Sequence, residues 1–458
     1  MGRDQLRADA ASGVDQLQET DPALHWLLER EQRRQHDVLA MIASASIADA
    51  SVLACEGSAS SNVTTEGYPG QRFHAGCELV DQVERLAVER AKAAFSASYA
   101  NVQPHSGSTA NQLVMASLLE PGDVVLALGL DAGGHLTHGA AANWSGRFFS
   151  AVHYGLDEHG LLDYEQVARL AREHRPKLIV CGASAYPRTI DFARFRAIAD
   201  EVGAFLLADI SHIAGLVVAG LHPSPIDVAH FTTTSTYKQL CGPRGGLVLM
   251  GRDADAPAPR GGRTLSAMVQ HAVFPYFQGT PRMNGVAAKA RALAQVNTPG
   301  FRALARRILD TAGFLADGLA ERGWRVLTGG TNNHMVLVDV GVRGLTGLVA
   351  ERALESCGII VNRNKIQGDP MPPTVGSGVR FGTNVLAQRG MDAEAIRRCV
   401  ELVDLVWTSL RVVGQRDFVL EESVRTRVRA EVAALCARHP LPGRMDAPAV
   451  ALEPAPAG

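Results

Sequence analysis

A single lysine, Lys238, follows a run of hydroxyl side chains and precedes a turn rich in glycine and proline. The stretch reads Phe231-Thr-Thr-Thr-Ser-Thr-Tyr-Lys238-Gln-Leu-Cys-Gly-Pro-Arg-Gly-Gly246. A lysine amine can form a Schiff base with an aldehyde cofactor, and nearby hydroxyl groups such as that of Ser235 can help to hold the cofactor's phosphate. Taken alone, the segment also fits a solvated surface lysine in a Thr-rich loop.

A second segment could bind the phosphate of such a cofactor. His105-Ser-Gly-Ser108 precedes a predicted helix over residues 110–119. Ser106, Gly107 and Ser108 would offer hydroxyl and backbone N–H groups to an anion, and the helix dipole would favour it. A simple helix N-cap is the alternative interpretation.

Three further side chains suit the same chemistry. Asp209 ends an apolar predicted strand, where a carboxylate can pair with the protonated nitrogen of a pyridine ring that acts as an electron sink. Strand-end aspartates also cap turns. Arg380, in a Gly-rich turn, suits bidentate binding of a substrate carboxylate. Glu66, in another Gly-rich loop, could act as a general acid or base.

Composition and charge narrow the class of protein. Of the 458 residues, 46% are hydrophobic and 20% charged, as in ordinary globular enzymes. A net charge of −2 gives no reason to expect a nucleic-acid or membrane partner. We find no run of about 18 apolar residues and no apolar core of a secretory signal near the N-terminus. The seven cysteines lack paired spacing, so we expect reduced thiols, no metal site and a cytoplasmic location.

Alternating apolar runs and helical patterns predict the fold. Short apolar runs occupy residues 124–128, 178–181, 205–208 and 246–250, with helical patterns over 164–173 and 192–202 between some of them. This alternation is typical of an α/β fold whose mostly parallel sheet is covered on both faces. Ligands in such folds bind beyond the carboxyl ends of the strands.

We predict four parts along the chain. Residues 1–45 form an N-terminal arm, and residues 46–285 form a large cofactor-binding domain that begins with a loop over 46–78. Residues 286–439 form a linking helix, expected as one stretch over 287–322, and a small C-terminal α/β domain. Residues 440–458 are rich in Pro and Ala and are expected to be disordered.

Five motifs, in one order within residues 20–438, resemble those of the serine hydroxymethyltransferases. They are Glu66-Gly-Tyr-Pro-Gly70, Val102-Gln-Pro-His-Ser-Gly-Ser108, Gly133-Gly-His-Leu-Thr-His-Gly139, Asp209-Ile-Ser-His-Ile-Ala-Gly-Leu216 and Gly242-Pro-Arg-Gly-Gly246. The resemblance implies a pyridoxal 5'-phosphate enzyme of fold type I, with a mostly parallel seven-stranded sheet in its large domain. It also implies a homodimer whose active sites take residues from both subunits.

The resemblance also implies a role for each matching residue. Lys238 would form the Schiff base, Asp209 would pair with the pyridinium nitrogen, and Glu66 would act as acid or base. The implied cofactor-binding positions are Ser106, Gly107, Ser108, Ser184, Asp209, His212, Ser235, Lys238 and, from the neighbouring subunit, Gly279. The implied substrate-carboxylate positions are Ser44 and Arg380. The implied catalytic positions are Lys238, Glu66, Asp209 and His212.

Several positions depart from the family pattern near the implied site. The departures are Thr64, Phe73-His74, Ala132, Tyr237, Tyr276-Phe277 and Thr280. They favour a threonine transaldolase, which would cleave L-threonine to acetaldehyde and add the glycine carbanion to another aldehyde. They also make tetrahydrofolate a doubtful cofactor.

Three alternatives to the transaldolase remain open at this point. Glu66 and Asn364 match positions that help with folate in the family, and they favour a serine hydroxymethyltransferase that interconverts serine and glycine. α-Methylserine as the donor is the second alternative. A catalytically inactive binding homologue is the third, and the retained Lys238, Asp209 and Arg380 argue against it. The expected enzyme partners are small amino acids and aldehydes.

Overall fold

The computed structural model describes residues 5–442, with side chains from residue 11 onward. The helices are α1 (Gln5–Thr20), α2 (Pro22–Asp37), α3 (Ala50–Glu56), α4 (Glu78–Phe95), α5 (Gly107–Leu118), α6 (Trp144–Phe148), α7 (Tyr164–His174), α8 (Phe192–Val202), α9 (Ala214–Val218), α10 (Leu265–His271), α11 (Met283–Val296), α12 (Pro299–Glu321), α13 (Gly347–Ser356), α14 (Asn384–Gln388), α15 (Ala393–Thr408) and α16 (Glu422–Arg438). The strands are β1 (Leu39–Ala40), β2 (Gly67–Tyr68), β3 (Gln71–Arg72), β4 (Tyr99–Asn101), β5 (Val124–Leu128), β6 (Ser150–Tyr154), β7 (Leu178–Cys181), β8 (Phe205–Asp209), β9 (Phe231–Ser235), β10 (Gly246–Met250), β11 (Arg325–Val326), β12 (Met335–Asp339), β13 (Ile359–Ile360), β14 (Asn362–Asn364), β15 (Gly378–Gly382), β16 (Arg411–Val412) and β17 (Phe418–Val419).

A seven-stranded sheet forms the centre of the larger part of the chain. Its strand order is β4-β10-β9-β8-β7-β5-β6, and β10 alone runs antiparallel to its neighbours. Every residue of β7, β9 and β10 is buried, because helices cover both faces of the sheet. The predicted α/β class with a mostly parallel seven-stranded sheet is therefore confirmed.

The order of the parallel strands brings the candidate residues to one edge of this sheet. β7, β8 and β9 are adjacent and point the same way, so their carboxyl ends meet. Ser184 follows β7, while Asp209 and Ser235 are the last residues of β8 and β9. A site at this edge is expected for doubly wound sheets.

A second hydrophobic core lies in the C-terminal part of the chain. It forms around an antiparallel sheet of order β11-β12-β15-β14, with helices including α12, α13 and α15 packed against it. β1 pairs in parallel with β13, and Leu39 and Met41 are buried in this second core. The predicted four-part division stays a prediction, and residues 443–458 of its tail lie outside the described residues.

Two local expectations were wrong. The stretch over 287–322 is two helices, because Thr298 caps α12 through Oγ1, which accepts a hydrogen bond from the N–H of Phe301, and Pro299 begins that helix. The expected loop over 46–78 contains α3, capped by Asp49, and the β2–β3 hairpin. Within residues 5–442, no helix combines the length and apolarity needed to cross a membrane.

Candidate active site

Lys238 lies three residues beyond the end of β9 and is 7% exposed. It lines a cavity of about 230 Å³ at the carboxyl-end edge of the large sheet. The predicted residues that line this cavity are Ser106, Gly107, Ser108, Ser184, Asp209, His212, Ser235 and Lys238. The structure thus brings together every predicted cofactor-binding residue except Gly279.

One end of the cavity is the N-terminus of α5. Ser106 caps this helix, since its Oγ accepts a hydrogen bond from the N–H of Thr109 at 3.0 Å. A Cβ at Gly107 would lie 3.2 Å from both Ser211 Oγ and Ser235 Cβ, so a larger residue would crowd the cavity wall. The first-turn N–H groups and the helix dipole make this end suited to a phosphate group.

Asp209 supplies a buried carboxylate on the lining of the same cavity. Its Oδ2 accepts a hydrogen bond from Asn111 Nδ2 at 2.8 Å and lies 3.1 Å from His138 Nε2, while Oδ1 accepts from the Ser211 N–H at 3.0 Å. Burial alone would raise the pKa of Asp209, but the hydrogen bond and charge of His138 outweigh it and hold the pKa well below its usual range. A buried anion here can pair with a protonated ring nitrogen.

His212 is a buried histidine with an unpaired nitrogen. Its Nδ1 has no hydrogen-bond partner among the described residues. Burial, helped by the charges of Lys238 and Arg380, lowers the pKa of His212 well below its usual value. Its ring stacks on that of His334 with centroids 5.7 Å apart. An unpaired buried polar atom on a residue that lines a cavity indicates a place for a ligand atom.

Burial also sets the protonation of Lys238. It lowers the pKa of Lys238 from 10.5 to about 8, against the opposing charge of Asp209. Because the neutral amine attacks an aldehyde, we expect the apoprotein to condense with pyridoxal 5'-phosphate faster as pH rises, with a midpoint near 8. The measurement is borohydride-trapped label on the Lys238 peptide across this pH range. Exposed Lys177 in the same digest is the reagent control, and a midpoint near 10.5 would contradict the prediction.

Arg380 reaches the edge of the cavity from the second sheet. The expected Gly-rich turn at Arg380 was wrong, because Arg380 is the central residue of β15 and pairs with neighbouring strands on both sides. Its Nη1 donates to the carbonyl oxygen of Ser184, which lines the cavity, and its Nε donates to Asn362 Oδ1 at 3.1 Å. A guanidinium has five N–H donors, so Arg380 can keep both bonds and still bind a carboxylate.

Ser44 lies in a loop that packs against the strand of Arg380. Gly382, on β15, donates its N–H to the Met41 carbonyl at 2.8 Å, and a Cβ at Gly382 would lie 2.2 Å from Ala43 Cα. Asn384 Nδ2 donates to the Ala43 carbonyl at 3.1 Å. These contacts hold the Ser44 loop beside β15.

Glu66 and Gly279 lie close to each other and outside the lining of the cavity of their own chain. A Cβ at Gly279 would be 3.2 Å from Glu66 Oε1, and neither residue lines the cavity. Arg72 holds the Glu66 loop, because its Nη1 donates to the carbonyls of Thr65 at 2.9 Å and Gly67 at 2.7 Å. The backbone on both sides of Glu66 is thus fixed by one guanidinium.

Sequence reasoning did not assign six of the lining residues. They are His135, Ala183, Ser211, Tyr237, Arg244 and Gly245. The Arg244 guanidinium carbon lies 3.9 Å from the ring centroid of Tyr237, which is a cation–π contact. The Gly-Pro turn between these two residues brings them together. The sequence could have indicated most of these residues, because they lie within the quoted motifs or next to an assigned residue in the chain.

The same region contains a group of possible metal ligands. His135, His138 and Asp209 place one ligand atom each within 4.8 Å of one another. Hydrogen bonds already pair these groups, since His135 Nδ1 lies 2.8 Å from Thr137 Oγ1 and His138 Nε2 lies 3.1 Å from Asp209 Oδ2. The expectation of no metal stays a prediction.

Comparisons with known proteins agree with this fold and site. The family model described as serine hydroxymethyltransferase matches residues 17–403. The protein named serine hydroxymethyltransferase from Paramagnetospirillum magneticum (strain ATCC 700264 / AMB-1) is 46% identical over 426 residues, covering 93% of this chain and 96% of the relative. The protein of that name from Alkalilimnicola ehrlichii (strain ATCC BAA-1101 / DSM 17681 / MLHE-1) is 47% identical over 422 residues, covering 92% and 96%. That from Rhodospirillum centenum (strain ATCC 51521 / SW) is 47% identical over 430 residues, covering 93% and 97%.

The fold, the cavity and these matches define the class of protein as a pyridoxal 5'-phosphate-dependent transferase of fold type I. Within that class, the chain belongs to the serine hydroxymethyltransferase family. The family uses pyridoxal 5'-phosphate, and the residues present fit it. The fit lies in the unpaired His212 Nδ1, the anionic Asp209 and the close-packed Gly107 at the start of α5.

Proposed function

We propose that this protein interconverts serine and glycine with tetrahydrofolate as the one-carbon carrier. The observation that best supports this proposal is the match to proteins named serine hydroxymethyltransferase, at 46–47% identity over nearly the whole chain. Aldol-type chemistry on a β-hydroxy-α-amino acid follows from the family. Sequence reasoning placed threonine transaldolase first, but nothing in the matches is specific for that activity, and they favour the alternative.

Each residue of the candidate site has a separate role in the proposed reaction. When bound, pyridoxal 5'-phosphate supplies an electron sink for cleavage of the Cα–Cβ bond. Arg380, with Ser44, binds the carboxylate of the amino acid and sets its orientation. Lys238 would bind the aldehyde of the cofactor, and the anionic Asp209 would pair with its ring nitrogen. Glu66 moves the proton of the β-hydroxyl group.

We also propose a homodimer with shared active sites. Support comes from the pair Glu66 and Gly279, which does not line its own cavity and would serve a neighbouring one. Large apolar side chains near this pair are exposed, including Phe73 at 74% and Tyr276 at 63%. Such exposure is typical of a surface that another chain covers. A cytoplasmic location is supported by the seven cysteines, which form no disulfide within the described residues.

The proposed activity predicts glycine formation from L-serine that requires tetrahydrofolate. The holoenzyme would be assayed with L-serine, with and without tetrahydrofolate, beside L-threonine with and without a panel of bulky aldehydes. We expect folate-dependent turnover of serine to exceed threonine cleavage by about tenfold or more, since a pocket built for one substrate discriminates by that order. Acetaldehyde release coupled to a new β-hydroxy amino acid, with little folate-dependent turnover, would overturn the proposal.

A transaldolase is the second candidate, and specific substitutions favour it. Tyr237 lies on the cavity wall beneath Arg244, and Ala132 replaces the histidine that stacks on the ring in the family. Phe73 contacts Phe274 at 5.5 Å between centroids, and Tyr276 contacts Phe277 at 5.6 Å. Phe73 occupies a position that the resemblance places near the pteridine pocket, and Tyr276-Phe277 stand where the family has two glycines. They would suit a bulky aldehyde acceptor instead, which is the outcome that the threonine arm of the assay detects.

A further inference from the structure

Lys289 is a buried lysine that the proposed reaction does not use. It lies on α11, and 3% of its surface is exposed. Its Nζ donates to three backbone carbonyls, those of Val102 at 2.6 Å, Pro104 at 2.9 Å and Gly246 at 3.1 Å. An ammonium has three N–H donors, so one group satisfies all three acceptors.

The three carbonyls belong to two segments that frame one end of the cavity. Val102 and Pro104 lead into Ser106, and Gly246 follows the turn that contains Arg244. The segments touch directly, because the Gly246 N–H also donates to the Pro104 carbonyl at 2.9 Å. A Cβ at Gly246 would lie only 2.2 Å from the Ser106 carbonyl oxygen. Lys289 therefore joins two segments at their closest approach.

Because the peptide bond is planar, the contacts with Lys289 also fix the orientation of the peptide units that supply the carbonyls. When a carbonyl points at Lys289, the N–H of the next residue points the opposite way. The His105 N–H, in the same peptide unit as the Pro104 carbonyl, donates to Gln278 Oε1 at 3.2 Å. The Gln103 N–H, paired with the Val102 carbonyl, donates to Asn101 Oδ1 at 3.0 Å. The Val102–Gln103 and Pro104–His105 peptide units are therefore each bound at the carbonyl by Lys289 and at the N–H by a side-chain amide oxygen.

The charge and the backbone arrangement depend on each other. Burial lowers the pKa of Lys289 to about 7, with Glu84 opposing and Arg282 adding to the shift, so an ammonium is costly at this place. Three carbonyl acceptors offset that cost only while the two segments keep their present spacing. Loss of the ammonium would leave three buried carbonyls without this donor and release that constraint.

We propose that Lys289 is a positioning residue for the phosphate of the cofactor. It holds residues 102–106 and 244–246 so that the N-terminus of α5 and the Arg244 turn face one anion. The proposal rests on the placement of the phosphate at Ser106, Gly107 and Ser108.

The test compares two ligands that share the aldehyde but differ in the phosphate. Apoprotein affinity for pyridoxal 5'-phosphate and for pyridoxal is measured by equilibrium absorbance titration, because both react with Lys238. We expect Lys289→Met to lower the affinity for pyridoxal 5'-phosphate by about tenfold or more and to leave pyridoxal within about twofold. An equal loss for both ligands, or no loss for either, would overturn the proposal.

Matched variants separate the possible failures. Arg291→Met removes a cation two residues further along α11, where it donates to Ser51 Oγ at 2.6 Å, and should leave the ratio of the two affinities unchanged. Ser106→Ala should reduce the ratio of the affinity for pyridoxal 5'-phosphate to that for pyridoxal. If this ratio is unchanged in Ser106→Ala, the phosphate does not bind at Ser106, and the assumed phosphate position is wrong. If Lys289→Met does not fold by circular dichroism, Lys289→Gln, which keeps two N–H donors, is read by the same ratio.

Discussion

A heterodimer of one Lys238→Ala subunit and one Glu66→Gln subunit is expected to keep about half of the wild-type activity, although each homodimer loses about a hundredfold or more. The reason is that each cavity would take Lys238 from one chain and Glu66 from the other. In the heterodimer, one cavity then has both native residues and the other has neither.

The geometry behind this expectation is the separation of the two residues within one chain. Lys238 lines the cavity, whereas Glu66 lies beside Gly279 and does not line it. Glu66→Gln keeps the shape of the side chain and removes its ability to transfer a proton. The heterodimer is made by co-expression with two affinity tags and is isolated by two successive purifications, so its activity per dimer can be compared directly with wild type.

A matched control uses two residues of the same cavity. A heterodimer of Lys238→Ala and Asp209→Ala would leave each cavity with one defect, because both residues line the same one. It should therefore remain inactive. If the Lys238→Ala and Glu66→Gln heterodimer is equally inactive, Glu66 does not act across the subunit boundary, and the proposed sharing of active sites fails.

Arg72→Met is expected to destabilise the protein by about 3–5 kcal/mol, because it leaves a buried ion cluster without its cation. The Arg72 side chain is 3% exposed and lies 2.8 Å from Asp81 Oδ1 through Nε and 2.5 Å from Glu84 Oε2 through Nη2. Burial raises the pKa of Glu84 even with Arg72 present, so this carboxylate depends on its partners. The measurement is the midpoint of urea unfolding, which should fall clearly below that of wild type.

Arg85→Met is the matched control for this variant. Arg85 also faces Asp81, at 3.7 Å, but its side chain is 53% exposed, so its loss should change stability by about 1 kcal/mol or less. Equal urea midpoints for the two variants would show that the buried Arg72 contributes no more to the stability of the protein than the exposed Arg85, and would contradict the prediction. Arg72→Met should also lower activity, since the same guanidinium binds the carbonyls that flank Glu66.

Strands that are buried on both faces were the easiest elements to predict. The runs at 124–128, 178–181 and 246–250 match β5, β7 and β10 residue for residue. Continuous apolar character over so few residues indicates a buried strand when helical patterns alternate with it. The expected single helix over 287–322 was wrong, because Thr298 caps a new helix there and Pro299 begins it.

The structure also brings together residues that lie in separate compact motifs of the sequence. Ser106, Asp209 and Lys238 each belong to a short segment whose residue types suit one part of the cofactor, and all three line one cavity. His135 and Arg244 lie within quoted motifs but were not assigned, because a motif does not say which of its side chains point into the cavity.

The sequence by itself determined the α/β class of fold, because alternating apolar runs and helical patterns are local. Its motifs, through their resemblance to a known family, implied the cofactor and most of the residues that surround Lys238. Only the tertiary structure decided that Lys289 joins the two segments at the phosphate end, that Arg72 holds Glu66, and that Glu66 lies outside its own cavity. Each of these depends on backbone carbonyls or on residues distant in the chain. Carbonyls carry no side-chain identity, so their partners become visible only when the chain is folded.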